Sequence, residues 1–126
     1  MVPAAITGTD SAQASVILVV ENDFILRLHV CDSLRRVGFI VIEAGNAHEA
    51  LTVLRARSDI AVVVTDIRMP GAMDGSGLIR QIRKLLPSVK VIAATAYGTS
   101  EPVEATVSKP YSTEKLITII RSLLDE

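Results

Sequence analysis

The chain has 126 residues, of which 49% are hydrophobic and 21% charged, and a formal net charge of -1. That is the composition of one globular domain with its own core, not of a disordered chain, and the charge argues against direct nucleic-acid binding. No apolar run approaches the roughly 18 residues needed to span a membrane, which leaves no role as a membrane partner. Aromatic residues are only 3% with no Trp, so the core must be aliphatic, and a lone cysteine, Cys31, makes no internal disulfide and suits a reducing cytoplasm.

Residues 1–15 are rich in Ala, Thr, Ser and Gly and lack both the basic start and the long apolar centre of a secretory signal. They read as a flexible leader, with the folded domain over residues 16–126. Residues 16–20 form a continuous apolar run, the mark of a strand buried on both faces, and end in Glu21-Asn22-Asp23. Asp23 suits the N-cap of a helix whose apolar positions Phe24, Leu28, Cys31, Leu34 and Val37 fall at helical spacing until Gly38 stops it. A second strand over 39–43 and a helix capped by Asn46, running through Ala50, Leu51, Val53 and Leu54 to about Arg57, follow.

A third, β-branched strand over 60–65 delivers Asp66 at its carboxyl end, then breaks into a loop containing Pro70 and Gly71. Asp74 or Ser76 starts a helix with Leu78, Ile79, Ile82, Leu85 and Leu86 inward, and Pro87 marks its exit. Residues 89–94 make a fourth strand ending in Thr95-Ala96, and 105–108 a short fifth ending in Lys109-Pro110. From Ser112 or Thr113 a last helix turns Leu116, Ile117, Ile120, Leu123 and Leu124 inward.

Alternating strands and helices predict an α/β fold, a doubly wound parallel sheet with right-handed crossovers. Only residues 96–104 separate the last two strands, near the lower limit of about 10–12 residues for a parallel crossover, and Pro102 restricts any helix there. The fourth helix of the alternation should be shortened or absent.

In such a sheet the strand ends converge, which places Glu21-Asn22-Asp23, Asp66, Thr95 and Lys109 at one edge. Acids crowded around one carboxylate would repel each other unless a cation sits among them. Hard oxygen donors beside a hydroxyl and an ammonium describe a Mg²⁺ site for phosphoryl transfer to the Asp66 carboxylate.

These pieces, Ile17-Leu18-Val19-Val20-Glu21-Asn22-Asp23, Thr65-Asp66-Ile67-Arg68-Met69-Pro70, Met73-Asp74-Gly75, Thr95-Ala96 and Lys109-Pro110, resemble the receiver domain of the two-component response-regulator family over residues 16–124. The resemblance implies a flavodoxin-like sheet of order 2-1-3-4-5. It implies Asp66 as phosphoacceptor from a sensor histidine kinase or a histidine phosphotransfer protein, a self-assisting acceptor and not a turnover enzyme. It assigns Thr95 to switching and phosphate contact and Lys109 to the phosphoryl group. Glu21, Asn22, Asp66 and the Arg68 carbonyl are assigned to Mg²⁺. No output domain follows the last helix, so output is expected through protein contacts, with a homodimer one option. The downstream partner is not named by the sequence.

Three departures stand out. Asn22 holds a position where the family usually has a metal-binding Asp, which weakens the expected metal site, with Asp23 an available compensation. Thr106 occupies the family's aromatic switch position, with Tyr111 an available substitute. The short 96–104 connection, expected to be mobile, removes most of the fourth helix; Ala72 also lengthens the preceding loop by one residue. An alternative function follows from Asn22 and Thr106: a pseudo-receiver acting as a constitutive interaction module. A flavin- or nucleotide-binding protein of the same fold lacks a Gly-rich loop after the first strand. His29 and His48 read as structural or surface residues, Cys31 as core, and the paired arginines as solvated helix faces.

Overall fold

The structure, a computed structural model, describes residues 14–125. Most of the proposed leader therefore lies outside the described residues. Five strands, β1 (Val16–Val20), β2 (Ile40–Ala44), β3 (Ile60–Asp66), β4 (Lys90–Thr95) and β5 (Ala105–Ser108), form one parallel sheet of order β2-β1-β3-β4-β5. The helices are α1 (Phe24–Arg36), α2 (Ala47–Ala56), α3 (Gly75–Leu85) and α4 (Thr113–Asp125). The expected topology is observed, and the connection from β4 to β5 holds no helix. No helix among the described residues is long and apolar enough to cross a membrane.

The period of two along each central strand splits the core into two layers. Leu18, Val20, Val63, Val91 and Ala93 pack against Ala50, Leu51 and Leu54 of α2 and Leu78, Ile79 and Ile82 of α3. Ile17, Val19, Val62, Val64, Ile92 and Ala94 pack against Val30, Cys31 and Leu34 of α1 and Leu116 and Ile120 of α4. Both faces being covered, the central strands need apolar residues along their length, which is why β1 and most of β3 read as apolar runs rich in β-branched residues. The β1–β3 register shifts between Val16 and Ile17 and re-phases the alternation at the bottom of the sheet.

Side-chain caps set the helix starts. Asp23 accepts the Leu26 N–H at 3.1 Å, Asn46 the Glu49 N–H at 2.8 Å and Asp74 the Gly77 N–H at 3.0 Å. Gly38, at φ +103°, supplies the left-handed residue that ends α1. Cys31 is buried, and burial above all pushes its thiol up to about 12, so it is an inert core residue at neutral pH. His29 and His48 are both exposed.

Some helix positions depart from the sequence reading. Phe24 and Leu28 are 59% and 49% exposed, and Val37 is also exposed, whereas Val30, Cys31 and Leu34 face the sheet. The sequence of α1 carries apolar residues on two sides, so spacing alone admits two inward faces. Arg27 decides between them: its guanidinium donates to the Glu21 carbonyl at 2.9 Å and to Glu43 at 3.1 Å, which turns its side of the helix toward β1 and β2. Leu85, expected inward, is exposed at the last turn of α3, where the sheet no longer lies beneath it.

The 96–104 connection, expected to be mobile, is anchored over its second half. Arg80 and Arg83 of α3 pair with Glu101 and Glu104, and Arg83 also donates to the Pro102 carbonyl at 2.7 Å. Its second half is strapped to the helix beside it.

Candidate functional site

The register of the sheet assembles the site. Val20 pairs with Thr65, Asp66 with Ala94 and Thr95 with Ser108, so Glu21, Asp66, Thr95 and Lys109 all emerge at the carboxyl edge within one residue of their strand ends. Backbone bonds extend the ladder past the strands: Glu21 N–H to the Ala44 carbonyl at 3.0 Å, Ile67 to Ala94 at 3.2 Å and Lys109 to Thr95 at 3.2 Å. These place the four side chains on one rigid rim.

The Lys109 ammonium donates to Asp66 Oδ1 at 2.9 Å and lies 3.6 Å from Glu21 Oε1. Asp66 and Glu21 are only 3% and 4% exposed. Two buried carboxylates thus share one cation, which leaves a negative balance. The other Asp66 oxygen, Oδ2, is buried with no hydrogen-bond partner, an arrangement that ordinarily costs about 1–3 kcal/mol. Burial foremost, then the Glu21 carboxylate alongside, pushes the Asp66 carboxyl up to about 7 against the opposing pull of Lys109. Burial by itself depresses the Lys109 ammonium, but its bonds with Asp66 and Glu21 outweigh this and hold it above the ordinary lysine value.

Thr95, 8% exposed, places its hydroxyl between two backbone groups of the following turn: it accepts the Tyr97 N–H at 3.1 Å and donates to the Gly98 carbonyl at 3.2 Å. A cavity of about 270 Å³ opens above Asp66, lined by Arg68, Ala94, Thr95, Ala96, Tyr97 and Lys109. At its mouth the Arg68 guanidinium stacks 5.2 Å from the centroid of the Tyr97 ring.

The donors suit a hard divalent cation in kind. Glu21 and Asp66 offer carboxylate oxygens, Oδ2 lacks a partner, and the pocket carries excess negative charge. In number they are sparse: among the described residues no three His, Cys, Asp or Glu side chains form a metal-binding group. Asn22 is exposed and brings no charge. Asp23, the available compensation, has its Oδ1 engaged in capping α1, while its N–H donates to Glu21 Oε2 at 2.9 Å. Thr106 is exposed, and Tyr111 is half-buried against the α1–α4 layer, its phenol raised by burial and then by Asp66 and Glu21.

Arg27, Gly75 and the Arg68–Tyr97 stack carry weight that sequence reasoning did not assign. Arg27 fixes the turn that carries Glu21. Gly75 donates its N–H to the Ile67 carbonyl at 2.8 Å, and a Cβ there would lie 1.7 Å from the Asp66 carbonyl oxygen. Both depend on how the chain folds back between a strand end and the following helix, and only the Met73-Asp74-Gly75 piece after Asp66 gave a signal, for the second.

A doubly wound parallel sheet with a buried acid, a lysine and a hydroxyl on its carboxyl edge defines a class of α/β modules whose chemistry centres on one carboxylate. Within that class the chain belongs to the response regulator receiver domain family, whose profile it matches over residues 17–121. It is therefore a receiver domain of two-component signalling, a family of phosphoacceptor signalling modules and not of turnover enzymes. The family typically uses Mg²⁺.

Among relatives, the chain is 31% identical to the sensor kinase CckA of Brucella abortus over 94% of its own length and 13% of that protein's. It is 40% identical to the response regulator protein FleR of Pseudomonas aeruginosa, over 68% of its own length and 18% of that protein's. The chain thus spans less than a fifth of these two curated relatives. A solved receiver domain protein from Methanospirillum hungatei superposes with a TM-score of 0.83 at 26% identity, covering 90% of this chain and 95% of that one. A response regulator receiver protein from Sinorhizobium medicae gives 0.81 at 28% identity, covering 90% and 97%.

Proposed function

We propose that this chain is a phosphorylation-dependent switch in which Asp66 accepts a phosphoryl group from a sensor histidine kinase or a histidine phosphotransfer protein, in the cytoplasm and with Mg²⁺ assistance. The observation that carries this reading is the Asp66 carboxylate itself: one oxygen is held by Lys109 at 2.9 Å and the other is buried and unpartnered. An Asp66 oxygen attacks phosphorus, the bond to the donor imidazole nitrogen breaks, and the imidazole takes a proton from solvent. Lys109 screens the charge gathering on the phosphoryl oxygens, and Thr95, which lines the same cavity, offers them its hydroxyl. A divalent ion held by Glu21, Asp66, the Asn22 amide oxygen and the Arg68 carbonyl would neutralise the remaining charge.

Incubation with Mg²⁺ and acetyl phosphate tests this directly. Phosphoryl incorporation in the wild type that is lost in Asp66→Asn supports the switch. The second reading, a constitutive interaction module, draws on the exposed Asn22 and the missing third carboxylate. No incorporation, together with no Mg²⁺ binding at millimolar metal, would favour it.

Asn22→Asp sharpens the test. Restoring one negative charge beside Glu21 should tighten Mg²⁺ binding about tenfold, on the order of 1.4 kcal/mol, and speed phosphorylation. Isothermal titration with Mg²⁺ reads this, and an unchanged affinity would show that Asn22 does not limit the site.

A further inference from the structure

The connection from β4 to β5 is fastened at both ends by different means. Its far half is tied to α3. Arg80 pairs with Glu101, and Arg83 reaches three acceptors at once: Glu104, the Pro102 carbonyl at 2.7 Å and the Val89 carbonyl at 2.9 Å. Glu104 in turn accepts the Val91 N–H at 2.7 Å on its side chain and donates its own N–H to the Val91 carbonyl at 3.0 Å, which locks it to the start of β4. The Arg83 side chain is only 19% exposed, so this is not a pair dissolved in solvent.

The near half has another anchor. Tyr97 and Gly98 are held by the one hydroxyl of Thr95, which receives the Tyr97 N–H and bonds the Gly98 carbonyl. Gly98 sits at φ +80°, and the Tyr97 ring is 82% exposed above the Asp66 cavity. The Thr95 hydroxyl has a single proton. If it turns to a phosphoryl oxygen, it gives up Gly98, and its bond with Tyr97 must rearrange.

We propose that the α3 arginines divide this connection into a fixed half and a movable half, so that switching at Thr95 displaces residues 97–100 alone and is displayed outwardly by the Tyr97 ring. The proposal rests on the reading of Asp66 as phosphoacceptor for its trigger, but the division itself is a property of the free protein. In a chain without a helix at this place, and with Thr106 where an inward-turning ring would stand, the exposed aromatic two residues beyond Thr95 becomes the moving part. The strap keeps that motion from reaching β5, whose register carries Lys109.

Amide hydrogen exchange and chemical shifts on the ¹⁵N-labelled chain test both parts. In the free protein, Thr95→Ala should speed exchange of the Tyr97 amide about tenfold and leave the Val91 and Glu104 amides unchanged. Arg83→Gln should do the reverse. Glu104→Gln, which keeps an acceptor for Val91, serves if Arg83→Gln does not fold. On adding beryllofluoride with Mg²⁺, wild-type shift changes should concentrate at 95–100, fade at 101–104, and spread through 101–108 in Arg83→Gln. Equal shifts at 101–104 in the wild type, or faster Glu104 exchange in Thr95→Ala, would overturn the division. If the free-protein pattern holds but beryllofluoride moves nothing, the phosphoacceptor reading falls and the division stands.

Discussion

Gly75→Ala is expected to destabilise the protein by about 2–3 kcal/mol and to slow phosphorylation about 10²-fold, although the same change at an exposed first-turn position would stabilise a helix by up to ~1 kcal/mol. The sign reverses because the added Cβ would sit 1.7 Å from the Asp66 carbonyl oxygen and 2.7 Å from the Ile67 Cα. Both obstacles are backbone, so no rotamer change relieves them: either α3 moves off the sheet or the end of β3 moves with Asp66. Gly77→Ala is the matched control. Its Cβ would press only on the Met73 side chain, at 2.8 Å from Cγ, with Asp74 Oδ1 at an ordinary 3.7 Å, and methionine adapts, so a change within ~1 kcal/mol is expected. Thermal unfolding reads the first effect as a fall in Tm of roughly 10 °C, and acetyl phosphate kinetics read the second. A Gly75→Ala protein as stable and as reactive as Gly77→Ala would contradict the close approach of α3 to the acceptor strand.

Asp66→Asn is expected to abolish phosphoryl incorporation while making the protein more stable in metal-free buffer at pH 8. The carboxyl stands at about 7 in the folded protein against an ordinary value of 3.8. A carboxyl raised on folding means that the native state binds the proton more tightly than the unfolded chain. The stability it contributes is complete below about pH 4 and is lost as pH rises through 7. At pH 8 the native protein carries the strained carboxylate, which the neutral amide removes. The advantage of Asp66→Asn should therefore shrink by about 2–3 kcal/mol between pH 8 and pH 5. Urea unfolding of both proteins in EDTA at the two pH values measures the difference. A constant gap would mean that burial and Glu21 do not load Asp66, and Mg²⁺ restored at pH 8 should itself narrow the gap, since a divalent ion partners Oδ2 and offsets the crowding.

Asp66, Thr95 and Lys109 were legible because each stands where an apolar strand gives way to a polar residue, and a parallel sheet gathers such points at one edge whatever their separation in sequence. The fate of Asp23 was half legible. Its type and place announce a helix cap, and only the structure shows that its N–H also ties the turn to the Glu21 carboxylate. The inward face of α1 was legible only in part: Cys31 and Leu34 are buried as read, whereas Phe24, Leu28 and Val37 are exposed, since the apolar residues satisfy two stripes and the choice is made by Arg27 reaching Glu21 and Glu43. The boundaries of β2 and β4 moved one residue from the expected spans, as ladder partners on neighbouring strands extend or clip an end.

By itself the sequence determined the order of elements, the parallel sheet, a fourth helix shortened or absent between β4 and β5, and which polar residues gather at the carboxyl edge of the sheet. All of these follow from local periodicity, caps and chain length, which act within a few residues. The tertiary structure alone decided which carboxylate oxygen is left unpaired, how close α3 stands to Asp66, and that the second half of the 96–104 connection is strapped to Arg80 and Arg83. Those facts depend on pairings between segments about 10 to 40 residues apart, and their free energies come from burial and geometry that no local pattern encodes.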